Sequence, residues 1–194
     1  MAIRSMHSSF DSGASGGAPV PRRQHEARTA APTVIVGLGN EIAGDDGVGI
    51  HVARLLGERL AESSDVDVVA LPWAGLALLD ILRGRQTAVI VDCLTSDARP
   101  PGTVVRLDQE GIAGSVRLNS FHDISFPTAI AFGRKMGWEM PTQIAIWGVE
   151  AAIVDTFFEG LSPAVEAAIE PLIREVLEFI EPAVRGLATM GATR

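Results

Sequence analysis

Cysteine is almost absent from this chain: Cys93 stands alone among 194 residues. An internal disulfide is therefore excluded, and so is a multi-cysteine zinc site. A chain so poor in thiols fits a reducing compartment, and a cytoplasmic protein is expected. No apolar run reaches membrane-spanning length, so no membrane partner is expected. Positive charge is also scarce. The net charge is −8, with a surplus of +2 in the first 32 residues and −10 in the remainder. That balance argues against nucleic acid as a partner. An acidic body suits metal ions or basic peptide segments, and it equally serves plain solubility. A phosphate loop is missing too, because no Gly-Lys-Ser or Gly-Lys-Thr occurs.

What remains is a soluble globular composition, 47% hydrophobic and 21% charged, of a length that one domain fills comfortably. Residues 1–32 are rich in Ser, Gly, Ala, Pro and Arg without apolar periodicity, and are expected to form a disordered extension. Arg22-Arg23 has the look of a twin-arginine signal. Gln24-His25-Glu26 follows instead of an apolar segment, which speaks against secretion. His7 and His25 in this extension are assigned to no site. Residues 33–188 are expected to form a single α/β domain, with 189–194 as a short tail.

Within the body, short β-branched runs alternate with amphipathic ones. Strands are predicted at Thr33–Gly39, Val66–Leu71, Thr87–Leu94, Thr103–Leu107 and Gln143–Val149. Helices are predicted from Asp46 to about Glu62, with Val48, Val52, Leu55 and Leu56 on one face, and from Gly75 to Arg83 through Leu76, Leu79 and Leu82. Another covers Ile124–Met136, with Pro127 in its first turn. Ser162-Pro163 pairs an N-cap residue with a first-position proline and opens the C-terminal helix, where Pro171 should make a kink. Such alternation predicts a three-layer α/β sandwich, a mainly parallel twisted sheet of about five strands with helices on both faces. If the strand order begins 2-1-3, a ligand crevice opens at the C-terminal ends of strands one and three.

Two sequence signals fall at that crevice. The first is the turn Gly37-Leu38-Gly39-Asn40-Glu41-Ile42-Ala43-Gly44-Asp45-Asp46-Gly47-Val48-Gly49. It begins like a dinucleotide fingerprint, but Ile42 replaces the third glycine, and two carboxylates at a helix start repel phosphate. Aspartate there caps free N–H groups and complements the helix dipole, worth about 0.5–2 kcal/mol. One aspartate suffices for that, so Asp45 is expected to cap and Asp46 to point into the crevice. The second signal is Asp92, which interrupts the apolar run Ala-Val-Ile-Val-Asp-Cys-Leu. A carboxylate in a buried strand is costly unless it is paired, metal-bound or at the strand's end. A hydrogen bond to loop backbone is the plain alternative.

His122, in a polar segment before the third helix, supplies an imidazole. Asp123 beside it either orients its ring or caps the following helix. Two carboxylates and an imidazole suit a borderline divalent metal such as nickel or zinc. His51 is read as a partly exposed packing residue on a helix flank, and Cys93 as a small buried hydrophobe. Trp73, Trp138, Trp147, Phe157 and Phe158 are expected in the core or at its rim. For Phe157-Phe158, core packing is preferred over an exposed docking surface. Glu150 is read as a loop acid near the same end of the sheet.

In these residues the chain resembles the hydrogenase maturation endopeptidases, over Thr33 to about Leu187. The motif G-x-G-N-x-x-x-x-D-D/E-G-x-G is matched by Gly37 to Gly49, the strand-ending aspartate by Asp92, and the later histidine by His122. Gly148-Val149-Glu150 and the run from Leu161-Ser162-Pro163 to Ile169 fit as well. The resemblance implies a cytoplasmic protease that removes a C-terminal extension from the large-subunit precursor of a nickel-iron hydrogenase. It also implies that Asp46, Asp92 and His122 are the metal-binding and catalytic residues, and that the nickel is the precursor's. The resemblance further implies an aspartic-type, nickel-recognising peptidase. The long N-terminal extension and Glu41 depart from the pattern without touching the three site positions. No nucleic-acid partner, membrane or stable oligomer is expected. A nickel chaperone without protease activity, or a protease of the same fold acting on another substrate, are the alternatives.

Overall fold

The computed structural model describes residues 30–72, 75–96, 98–107, 126–154 and 156–191. The elements are β1 (Thr33–Leu38), a 3-10 turn (Gly44–Gly47), α1 (Val48–Arg59), β2 (Val66–Leu71), α2 (Gly75–Leu82), β3 (Thr87–Leu94), β4 (Val104–Leu107), α3 (Phe126–Lys135), β5 (Gln143–Glu150) and α4 (Pro163–Gly191). Each predicted strand and helix is present, with ends shifted by up to about three residues. The first helix differs most. It opens as a 3-10 turn through Asp45 and Asp46, so the acids precede the α-helix proper. The C-terminal helix runs through Pro171 and Pro182 as one element. The expected extension up to residue 29, Trp73, His122, Asp123 and the last three residues lie outside the described residues.

The strands lie in the order β2-β1-β3-β5-β4. All neighbours pair in parallel except β4, which runs antiparallel to β5. Central strands β1 and β3 are buried along their whole length. This is the physical reason that they read as continuous apolar runs rather than alternating ones. The edge strands carry charges along their length, Asp67 on β2 and Arg106 on β4, where charge discourages pairing with another chain.

Two cores sandwich the sheet. On one face Ile35, Val89, Val91, Cys93, Trp147 and Val149 pack with Val48, Val52 and Leu56 of α1 and Val165, Leu172 and Val176 of α4. On the other, Val34, Val36, Leu38, Ala88 and Ile90 pack with α2 and α3. On α2 the expected stripe is half right. Leu79 and Leu82 are buried with Leu78, but Leu76 is exposed. Each such buried leucine contributes roughly 2 kcal/mol of apolar burial. Trp147 meets Phe179 edge-on, 5.5 Å between centroids, and its Nε1–H donates to Glu175 Oε2 at 2.9 Å, which ties β5 to α4. Among the described residues no helix is long and apolar enough to cross a membrane.

Candidate active site

The order β2-β1-β3 sends the chain in opposite directions from β1 and β3, which creates a switch point at their C-terminal ends. The glycine-rich turn after β1 builds one wall. A side chain on Gly37 would lie 1.9 Å from the carbonyl oxygen of Gly49, so β1 and the start of α1 approach closely only with glycine there. Gly39 has φ +147 and would place a Cβ 1.9 Å from the carbonyl oxygen of Asp46. That carbonyl accepts the N–H of Asn40 at 3.1 Å. The glycines thus fold the turn back on itself and set Asp46 at the mouth of β1. Asp46 is buried, at 5% exposure.

Asp45 behaves differently from expectation. It makes no side-chain cap for the turn or helix that it precedes. Its Oδ2 accepts the N–H groups of Ala152 (2.8 Å) and Ile153 (2.9 Å) and the hydroxyl of Ser162 (2.9 Å). Its Oδ1 accepts the N–H of Ser162 at 2.6 Å, and its own N–H donates to the Ile153 carbonyl at 2.8 Å. Ser162 immediately precedes α4, so Asp45 serves a helix N-terminus after all, but that of α4. The positive end of that helix favours a carboxylate. Asp45 thereby fastens the turn bearing Asp46 to the loop leaving β5. It is wholly buried, and no buried side-chain nitrogen or oxygen among the described residues lacks a hydrogen-bond partner.

Asp92 stands near the end of β3, wholly buried, opposite Gly148 of β5. Strand alternation puts it on the face of Ala88 and Ile90, away from Val91 and Cys93. Its Oδ1 accepts the N–H of Cys93 at 2.9 Å. Glu150 ends β5 and is buried rather than a loop acid in water. Its two oxygens accept the N–H and hydroxyl of Ser96, both at 2.7 Å. The Gly-Val-Glu sequence alone carries no sign of that burial.

Cys93 follows Asp92 on β3 and is buried. Burial pushes its thiol far above the ordinary range, and the charges of Asp92, Asp46, Asp45 and Glu150 push it further in that direction. It is a buried hydrophobe, as expected, and too protonated to act as a nucleophile. Asp46 follows β1 and Asp92 lies near the end of β3, and these strands are paired neighbours, so both acids stand at the same end of the sheet. His122 lies outside the described residues, and among those described no three His, Cys, Asp or Glu side chains form a metal-holding group. His51 is half-buried on α1, as read. Trp147 is core, while Phe157 and Phe158 are exposed, against the preference for packing. Their place in a loop leaves them on the outer side of the chain.

Fold and site together define a three-layer α/β protein with buried acids at the C-terminal ends of β1 and β3. The family model for the hydrogenase maturation protease matches residues 50–179, and the chain belongs to that family. The matched stretch contains Asp92 and His122 and begins after Asp46. The Hydrogenase 2 maturation protease of Escherichia coli (strain K12) is 29% identical over 145 residues, covering 74% of this chain and 87% of that protein. The hydrogenase expression/formation protein HupD of Thiocapsa roseopersicina is 26% identical over 156 residues, 79% of this chain and 69% of that one. Among solved structures, the hydrogenase maturating endopeptidase HybD from E. coli superposes with a TM-score of 0.61 at 26% identity, over 78% of this chain and 93% of that one. The activity of the family is that of an endopeptidase.

Proposed function

We propose that this endopeptidase removes the C-terminal extension of a nickel-iron hydrogenase large-subunit precursor once nickel is in place, and that the precursor's own nickel is what it recognises. The observation that supports this reading is that Asp46 follows β1 and Asp92 lies near the end of the neighbouring strand β3, two buried carboxylates at one end of the sheet. Two carboxylate oxygens and the imidazole of His122 make a donor set that nickel accepts. Substrate-borne nickel would polarise the scissile carbonyl or its attacking water. A carboxylate of Asp46 or Asp92 takes a proton from that water as its oxygen bonds to the carbonyl carbon. The C–N bond then breaks, and the proton passes to the departing amine. The acidic body and the reducing compartment read from the single cysteine support a cytoplasmic setting.

The test is to incubate the protein with nickel-loaded and nickel-free precursor and follow the precursor's mass. Loss of a C-terminal peptide from the loaded form alone is expected. Nickel transfer without cleavage would instead support a chaperone and end the protease mechanism. Asp46→Asn, Asp92→Asn and His122→Ala should each reduce cleavage by about 100-fold or more. The fold should survive in Asp92→Asn, since the amide oxygen can still accept the N–H of Cys93. Unimpaired cleavage by any of the three variants removes that residue from the site.

A further inference from the structure

Beside the buried acids lies an apolar edge that the hydrolysis itself does not use. Ile42 is 50% exposed, Phe157 79% and Phe158 42%. Backbone pairing holds them together. The N–H of Phe158 donates to the Ile42 carbonyl at 3.2 Å, and the N–H of Gly44 donates to the Phe158 carbonyl at 2.9 Å. Ala43 and Phe158 form a parallel bridge. From Gly44 the chain passes directly into Asp45 and Asp46. The bonds from Asp45 to Ala152, Ile153 and Ser162 clamp the same two loops. The apolar edge is therefore part of the turn that carries Asp46, and it is held in place on both sides.

We propose that Ile42, Phe157 and Phe158 form the docking rim for an apolar stretch of the polypeptide substrate next to the scissile bond. The proposal rests on the placement of Asp46 in the cleavage site. An endopeptidase must hold its substrate chain on at least one side of the bond that it cuts. An extended chain advances about 3.3–3.6 Å per residue, so a segment engaged at Asp46 meets the rim within a few residues. Charge narrows the occupant further. Exposed Glu159 directly follows Phe158, and Glu41, directly before Ile42, is paired with Arg54. Since Arg54 offsets Glu41, Glu159 is the acid that marks this border, and an apolar segment with Lys or Arg beside it fits best. Rigidly held aromatic side chains are what binding hot spots use.

The experiment uses the full chain and a nickel-loaded large-subunit precursor that the wild type cleaves. In Phe157→Ser/Phe158→Ser, KM should rise about tenfold, with kcat within about twofold of wild type, the pattern of lost binding rather than lost chemistry. Phe157→Leu/Phe158→Leu should recover most of the loss. Phe132→Ser, at an exposed apolar position on α3, should leave KM unchanged. All of these variants should keep the wild-type melting temperature, because the side chains replaced are exposed. An unchanged KM in the double serine variant overturns the proposal, as does an equal rise in Phe132→Ser. A wild-type dimer that the serine variant splits without altering KM overturns it in favour of self-association. Asp46→Asn run in parallel separates the two readings. Full cleavage by that variant removes the site beside which the rim was placed, whereas lost cleavage with a raised KM only in the rim variants supports both.

Discussion

At the N-terminal end of the sheet, Asp67 on edge strand β2 accepts the N–H of Ala31 at 3.1 Å and pairs with the Arg85 guanidinium. Arg85 also donates to the carbonyls of Ala31 (2.6 Å) and Ile81 (3.2 Å). At the C-terminal end, Asp45 is held by backbone N–H groups and a serine hydroxyl. Both arrangements fasten distant segments, but only the first brings a cation to its acid. An arginine cancels the charge that it binds. Neutral donors satisfy a carboxylate and leave its charge in place, and the α4 dipole favours it there. Asp45 is thus held without a cation, and burial first, then the charges of the four acids, pushes the Cys93 thiol up.

The comparison breaks most readily at Asp45. Asp45→Asn turns an amide NH2 toward donors that need an acceptor, in a wholly buried place. A loss of about 3 kcal/mol or more in urea unfolding is expected. Asp46→Asn, one residue on, should instead lose cleavage while keeping stability nearly whole. If Asp45→Asn costs less than about 1 kcal/mol, the clamp is no stronger than a surface contact, and the division between the two neighbours fails.

That division was only partly legible in the sequence. Asp92 announced itself because a carboxylate inside an apolar run has few inexpensive explanations. The strands of the buried sheet were legible for the same reason, since burial on both faces leaves no polar alternation to confuse with a helix. Asp45 was misassigned because capping rules are local, whereas its partners Ala152, Ile153 and Ser162 lie more than a hundred residues away. Glu150 ends its strand, and its burial depends on Ser96, fifty-four residues away, whose N–H and hydroxyl it accepts. For Phe157 and Phe158, composition favours the core. Which side of a loop faces outward depends on the backbone bridge to Ala43, which no periodicity reveals.

At the other end of the sheet the effect should be smaller. The side chains of Arg85 and Asp67 are 11% and 24% exposed, so their pairing is partly screened by water. Arg85→Met keeps most of the packing stem and removes the charge and its hydrogen bonds. A loss of about 1 kcal/mol is expected, shrinking as salt is added to the wild type. Cleavage should be unchanged, because this cluster lies at the end of the sheet remote from Asp46 and Asp92. A loss as large as that of Asp45→Asn would show that the two fastenings carry equal weight.

The smallest effect is expected from removing residues 1–30. The body begins slightly earlier than the composition suggested, because Ala31 is buried and Gln86 and Thr87 both donate to the Pro32 carbonyl. A truncation that starts at Ala31 keeps these bonds. If the initiator methionine is removed, the new ammonium of Ala31 still faces Asp67, as the N–H does now. Thermal or urea unfolding should therefore change by no more than about 0.5 kcal/mol, the range of ordinary surface changes. A larger drop would mean that the extension packs on the body, and Arg85 and Asp67 would then be anchoring a longer segment than Ala31 and Pro32. Equal stability would confine the fastening to those two residues and leave the acidic end as the part of the molecule whose hydrogen bonds bear on function.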